Sequence, residues 1–177
     1  DSTDFQNILN QLIYEADRKK WRFIEIRGGK QFLAGVLPYM RFLTHNIDLT
    51  RSEEDLFRSF RSSTQRNIRK AEKEGITISF DRSNNAINEF YRLNCLTRRH
   101  HGLPPQPFSF FNRLHKNFIQ NDNGFISLAH SGHNVIAGAL FVITGKIAYY
   151  KYGASEQKFL CHRPNDLIFL EAIKECV

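Results

Sequence analysis

Two short stretches hold the side chains best suited to chemistry. Tyr149, Tyr150, Lys151, Tyr152 and Gly153 end a run of strand-forming residues, and His162, Arg163, Pro164, Asn165 and Asp166 open a helix. A strand end beside a helix N-terminus is a frequent place for a polar ligand. The first N–H groups of a helix lack internal partners and favour an anion. Arg163, just before that terminus, adds positive charge. Strict strand alternation sends Tyr149 and Lys151 to one face and Tyr150 and Tyr152 to the other. Tyrosines also line half-covered sheets for packing alone, so the types admit both a site and a core.

A second set is basic. Arg66, Arg69, Lys70 and Lys73 follow one another at i, i+3, i+4 and i+7 along a helical stretch. Such an edge suits phosphate, which pairs with both arginine forks and lysine charges. It equally suits solvent, and Glu72 and Glu74 temper the local charge. Arg98, Arg99, His100 and His101 form another cluster at a helix end, where positive charge offsets the helix dipole. Neighbouring histidines on a helix point about 100° apart, so His100 with His101 makes a poor metal site. His130 and His133, in a turn with no carboxylate or cysteine beside them, are as weak a signal. No metal site is expected. No nucleophile motif, zinc-protease motif, phosphate loop or CxxC pair occurs. An enzyme with this sequence would act by positioning an already activated donor rather than through a covalent nucleophile.

The elements around these residues follow from periodicity. Residues 5–20 carry apolar residues at helical spacing, with Thr3 or Asp4 as cap. Residues 21–28 and 44–50 read as short strands. Ser52 followed by carboxylates starts a helix over about 53–74, with Phe57, Phe60, Thr64, Ile68 and Ala71 facing inward and Gly75 ending it. A strand at 76–80, a helix capped by Asn84 or Asn85, and a helix begun by Pro107 or Ser109 come next. Three strands then form an antiparallel meander across two tight turns. Pro164 opens a last helix that is apolar on most sides, hence buried. Mixed helices and strands without strict alternation predict an α/β (α+β) fold with helices on the sheet faces.

The 177 residues suffice for one ordinary core and a smaller lobe. The formal charge of +7, from 25 Lys and Arg against 18 Asp and Glu, favours anionic partners such as RNA, nucleotides, coenzyme A or a membrane surface without choosing among them. Three scattered cysteines, Cys95, Cys161 and Cys176, fit a reduced, cytoplasmic protein. No apolar run approaches the ~20 residues of a membrane span. The start at Asp1 and the end within a helical pattern at Val177 read as a piece of something longer, with a closing strand expected after the last helix.

Three separated segments, Ser63–Ile78, Phe90–Pro107 and Tyr149–Ile173, resemble in their order the FemAB-like acyltransferases, a group that includes peptidoglycan bridge aminoacyltransferases. The resemblance covers about residues 45–177 and implies a GNAT-like mixed, largely antiparallel sheet. Residues 1–44 would be the tail of a preceding GNAT-like domain in tandem with it. It implies transfer of an acyl or aminoacyl group from acyl-CoA or aminoacyl-tRNA, as co-substrate rather than tightly bound cofactor, to an amine. The acceptor would be a peptidoglycan or envelope precursor in the wall-building members. The loop Cys161–Asp166 departs from the glycine-rich pyrophosphate loop of ordinary GNAT enzymes, which leaves acyl-CoA and tRNA both open as donor. Tyr150, Lys151 and Tyr152 would hold the oxyanion and orient the amine. Arg163 and Asn165 would contact the donor, with Arg66, Arg69, Lys70 and Arg99 along a substrate cleft. Asp166 or Glu171 would serve as base. The rival reading is a GNAT-like module without activity that binds RNA or an anionic envelope precursor.

Overall fold

The computed structural model describes residues 2–28, 33 and 37–177. The chain divides into two compact units, 1–46 and 47–177.

In the first unit a helix, α1 (Ser2–Lys19), is the only regular element among the described residues. Thr3 and Asp4, expected as caps, lie inside its first turn. The strand expected at 21–28 does not form, nor does the one at 44–50, which crosses into the second unit. A strand exists only through its ladder partner, and the alternation of Trp21, Phe23 and Ile26 finds none among the described residues. All three of those side chains are exposed.

The second unit holds five helices and a four-stranded antiparallel sheet: α2 (Glu53–Ser59), α3 (Ser62–Lys73), β1 (Ile76–Asp81), α4 (Asn84–His100), α5 (Phe108–Asn117), β2 (Gly124–Ser131), β3 (Asn134–Thr144), β4 (Ile147–Ser155) and α6 (Pro164–Glu175). The strand order is β1-β2-β3-β4, every neighbour antiparallel. A mixed α/β fold with a largely antiparallel sheet flanked by helices is the one expected, and the described sheet is antiparallel throughout.

The single helix expected over 53–74 is two helices. Phe60 and Arg61 are extended, with ψ of 148° and 146°. The break is held by side chains: Gln65 Nε2 donates to the Phe60 carbonyl at 2.9 Å, and Ser59 Oγ to that of Leu56 at 2.6 Å. Those carbonyls would otherwise be orphaned at the end of α2. Ser52 caps α2 as expected, accepting from the Asp55 N–H at 3.2 Å. Gly75, at φ +73°, supplies the left-handed residue after α3. Ser83 rather than Asn84 or Asn85 caps α4, accepting from the Ala86 N–H at 3.2 Å.

Alternation along the strands loads both faces of the sheet. Ile126, Leu128 and Leu140 face α4 and α5, meeting Ile87, Phe90, Leu93 and Phe111. Phe125, Ala129, Ala139 and Phe141 face α3 and α6, meeting Ile68, Ala71, Leu167 and Ile168. Fully burying a residue of the size of Leu or Phe contributes roughly 1.5–3 kcal/mol, so these two layers hold the unit together. His130, in the turn region that looked like a weak metal signal, instead pairs with Ser79 Oγ at 2.8 Å across β1 and β2.

Candidate active site

The ladder between β3 and β4 carries the feature that makes the site. Leu140 pairs with Tyr152 and Phe141 with Tyr150, so Lys151 has no counterpart on β3. One extra residue in a strand reverses the alternation beyond it. Tyr150 and Tyr152 therefore lie on opposite faces, against the expectation that they share one. Tyr152 packs on Phe110 and Phe111 under α5, with ring centroids 6.0 and 5.3 Å away. Tyr150 lies on the other face, against Phe169 of α6 at 4.7 Å and Phe141 at 5.7 Å.

Beside Tyr150 a cleft of about 470 Å³ opens across the outer edge of β4, which is free of a further strand among the described residues. Its floor is made of small residues, Gly138, Ala139, Gly153 and Ala154. The last turns of α4 give one wall, with Leu96, Thr97, His100 and His101, and the start of α6 gives the other, with Asn165, Ile168 and Phe169. Gly153 is required by its neighbour: a Cβ there would stand 1.9 Å from the Tyr150 hydroxyl oxygen. The phenol thus folds back along its own strand and lies against the Gly153 backbone.

The edge polarity can be worked out from one residue. Thr97 Oγ1 accepts from the Ser155 N–H at 2.9 Å and donates to the Ser155 carbonyl at 3.0 Å. Both groups of Ser155 therefore point away from β3. In an antiparallel ladder the outward groups recur every second residue, so the N–H and C=O of Gly153 point outward too. Among the described residues they have no partner. On the far side, Ser155 Oγ donates to Asn165 Oδ1 at 2.9 Å.

Burial pushes the Tyr150 phenol above its ordinary value. It is therefore protonated at neutral pH. Burial also raises the Asp166 carboxyl, against smaller opposing effects of an Asn67 hydrogen bond and the Arg163 charge. Asp166 thus turns to α3, away from the cleft that its neighbour Asn165 lines.

The remaining predicted residues are dispersed. Lys151 is the exposed bulge residue. Arg163 is exposed, adopts the left-handed conformation at φ +60° and caps α6 through its backbone position. Arg66, Arg69 and Lys70 are exposed on α3; Arg69 sits over the Phe57 ring at 5.7 Å and Lys70 is 3.6 Å from Glu74. Arg99 is exposed near the end of α4. Glu171 pairs with Lys174 at 2.7 Å. None of these lines the cleft. The sequence singles out neither Thr97 nor Ser155, and Gly153 only as the end of the tyrosine run. The small Gly-Ala-Ser run after the tyrosines was the one available signal for two of them.

Four antiparallel strands between two pairs of helices, with a cleft at a bulged strand, define a class of transferase domain. The family model described as "Acetyltransferase (GNAT) domain" matches residues 58–177, and the chain belongs to that family. This bears out the resemblance to FemAB-like GNAT acyltransferases. Among solved structures, the chain is similar to FemX, at 16% identity and a TM-score of 0.66, over 72% of this chain and 48% of that one. It is also similar to the C-terminal domain of a "Putative Lysylphosphatidylglycerol Synthetase" from Agrobacterium fabrum. That match has 11% identity and a TM-score of 0.50, over 68% of this chain and 40% of the other. The chain thus spans less than half the length of either structure, and both likenesses are likenesses of fold. No curated protein matches. No described helix is long and apolar enough to cross a membrane.

Proposed function

We propose that the cleft at the free edge of β4 transfers an acyl or aminoacyl group from an activated donor to an amine. The observation that carries this is the outward N–H of Gly153 lying beside the protonated Tyr150 hydroxyl on a floor of small residues. The amine nitrogen attacks the carbonyl carbon of the donor, and the carbonyl electron pair moves onto oxygen. The N–H of Gly153 and the Tyr150 hydroxyl are the donors for that oxyanion. Preorganised donors aimed at developing charge are the largest single source of stabilisation in such reactions. The carbon–sulfur or carbon–oxygen bond to the donor then breaks, the leaving group keeps the pair, and the amine proton passes to it through solvent.

Acyl-CoA and aminoacyl-tRNA are the two donor classes. Peptidoglycan or other envelope precursors are the acceptors the FemAB resemblance favours. The name of the second structural neighbour, a putative lysylphosphatidylglycerol synthetase, is in keeping with aminoacyl transfer.

The test monitors thiol release from acetyl-CoA, and loss of label from aminoacyl-tRNA, each with a panel of amines. Turnover with one donor is expected, and Tyr150→Phe should lower kcat by about 10²-fold, the scale of losing one oxyanion donor. Unchanged kcat would remove Tyr150 from the chemistry. A folded protein inactive with both donors would favour the second reading, a non-catalytic module that binds RNA or an anionic envelope precursor. The exposed Arg66, Arg69 and Lys70 outside the cleft are what favours it. RNA binding through them would weaken steeply with salt.

A further inference from the structure

Past the bulge at Lys151 the end of β4 is held by a strand on one side only, Tyr152–Ser155 pairing with Leu140–Ala137 of β3. Residues 152–155 belong to the outermost described strand, just past an interruption of the ladder. Edge segments of this kind open locally at low cost. An oxyanion donor, in contrast, must be held within about 0.5 Å of its working position. Something has to tie this segment down without covering Gly153.

Thr97 has the geometry for it. Both hydrogen bonds of its hydroxyl go to a single residue, Ser155, one to the N–H and one to the carbonyl. That is what a neighbouring strand would offer at the same point. The Ser155 side chain meanwhile reaches Asn165 on α6. Ser155 is thereby anchored to a helix on each face of the sheet, two residues beyond Gly153.

We infer that Thr97 is a positioning residue for acyl transfer. Its hydroxyl stands in for a strand at Ser155, ends the open part of the β4 edge there, and holds the Gly153 N–H where the oxyanion forms. The inference rests on the acyl-transfer reading and adds to it a residue whose hydroxyl is taken up by the Ser155 backbone.

The test compares Thr97→Val, which keeps the shape and removes the hydroxyl, with Thr97→Ser, which keeps the hydroxyl. Amide hydrogen exchange is read at Ser155 and Gly153, with Ile126 and Leu128 on β2 as internal controls for the fold. In Thr97→Val the Ser155 amide should exchange about tenfold faster or more while the controls hold. With the donor identified above, kcat should fall on the order of 10- to 100-fold at unchanged KM, the cost of a misplaced reacting group. Thr97→Ser should restore both. Wild-type kcat in Thr97→Val overturns the inference, as does a Thr97→Ser protein that regains Ser155 protection without regaining turnover. If the wild-type protein transfers from neither donor while Ser155 is protected, the acyl-transfer reading fails and takes the positioning role with it. Ser155 exchange unchanged in Thr97→Val contradicts the clamp itself, whatever the activity.

Discussion

The two faces of the sheet end differently at β4. Under α4 and α5 the layer is closed: Phe90, Phe111 and Leu140 are fully buried, and Tyr152 seals the strand by packing on Phe110 and Phe111. Under α6 the layer stops short, and Tyr150 and Phe169 stay partly open beside a floor of glycine and alanine. A single strand supplies both endings because one inserted residue, Lys151, sends its tyrosines to opposite sides. Both layers hold the unit together, but only the one under α6 leaves the backbone of Gly153 in reach of a ligand.

Substitutions can break that contrast, beginning with the closed face. Phe111→Ala should cost about 3–5 kcal/mol in urea unfolding, the range for emptying a buried aromatic site. Leu96→Ala in the cleft wall, where the side chain is 38% exposed, should cost far less. Equal losses would mean that the cleft is part of the core.

Gly153→Ala comes next. Its Cβ cannot coexist with the present Tyr150 hydroxyl, 1.9 Å away, and overpacking of this kind costs roughly 1–3 kcal/mol. Adding Tyr150→Ala should relieve most of the clash. A double-mutant cycle should show coupling of at least about 0.5 kcal/mol, and strict additivity would mean that the two residues do not meet.

A smaller effect is the pH dependence at Tyr150. Its folded pKa is raised, so the native state holds the proton longer than the unfolded chain does. That contribution is complete below the ordinary tyrosine value of about 10 and is lost as pH rises through the folded value. Stability of Tyr150→Phe should therefore fall less steeply above that pH than stability of the wild type. Parallel curves would contradict the burial of the phenol.

The smallest shift is expected for Asp166→Asn. Because burial raises the Asp166 pKa, the wild type loses stability as pH climbs past the ordinary carboxylate value of about 4. The variant keeps an oxygen for Asn67 and should match or slightly exceed wild-type stability at pH 7, with the advantage vanishing in acid. A clear loss at pH 7 would show that the ionised carboxylate is needed, as a base would be.

Much of the second unit was legible because its signals are local. The meander follows from Val, Ile and Phe runs parted by tight turns, and α6 from Pro164 ahead of an apolar stretch. The site was legible only in part, since its making depends on pairing. Nothing in Tyr149–Gly153 announces that Lys151 will lack a partner on β3, which is a property of two strands in register. The break at Phe60 was hidden for a similar reason: Gln65 reads as one more polar residue on an exposed face until its side chain turns back to the Phe60 carbonyl. Thr97 lies in a helix whose sequence says nothing about the strand edge it meets. The strands expected at 21–28 and 44–50 fail by the same logic, an apolar pattern without a ladder among the described residues.

The most direct test of the central claim, that reaction takes place at the free edge of β4, is amide chemical-shift mapping during titration with acetyl-CoA and, separately, with aminoacyl-tRNA. The account predicts saturable shifts at Gly153, Ala154 and Ser155 with one of the two donors, and a weaker response in Tyr150→Phe. Shifts confined to the basic face of α3, with the β4 edge unmoved by either donor, would contradict it.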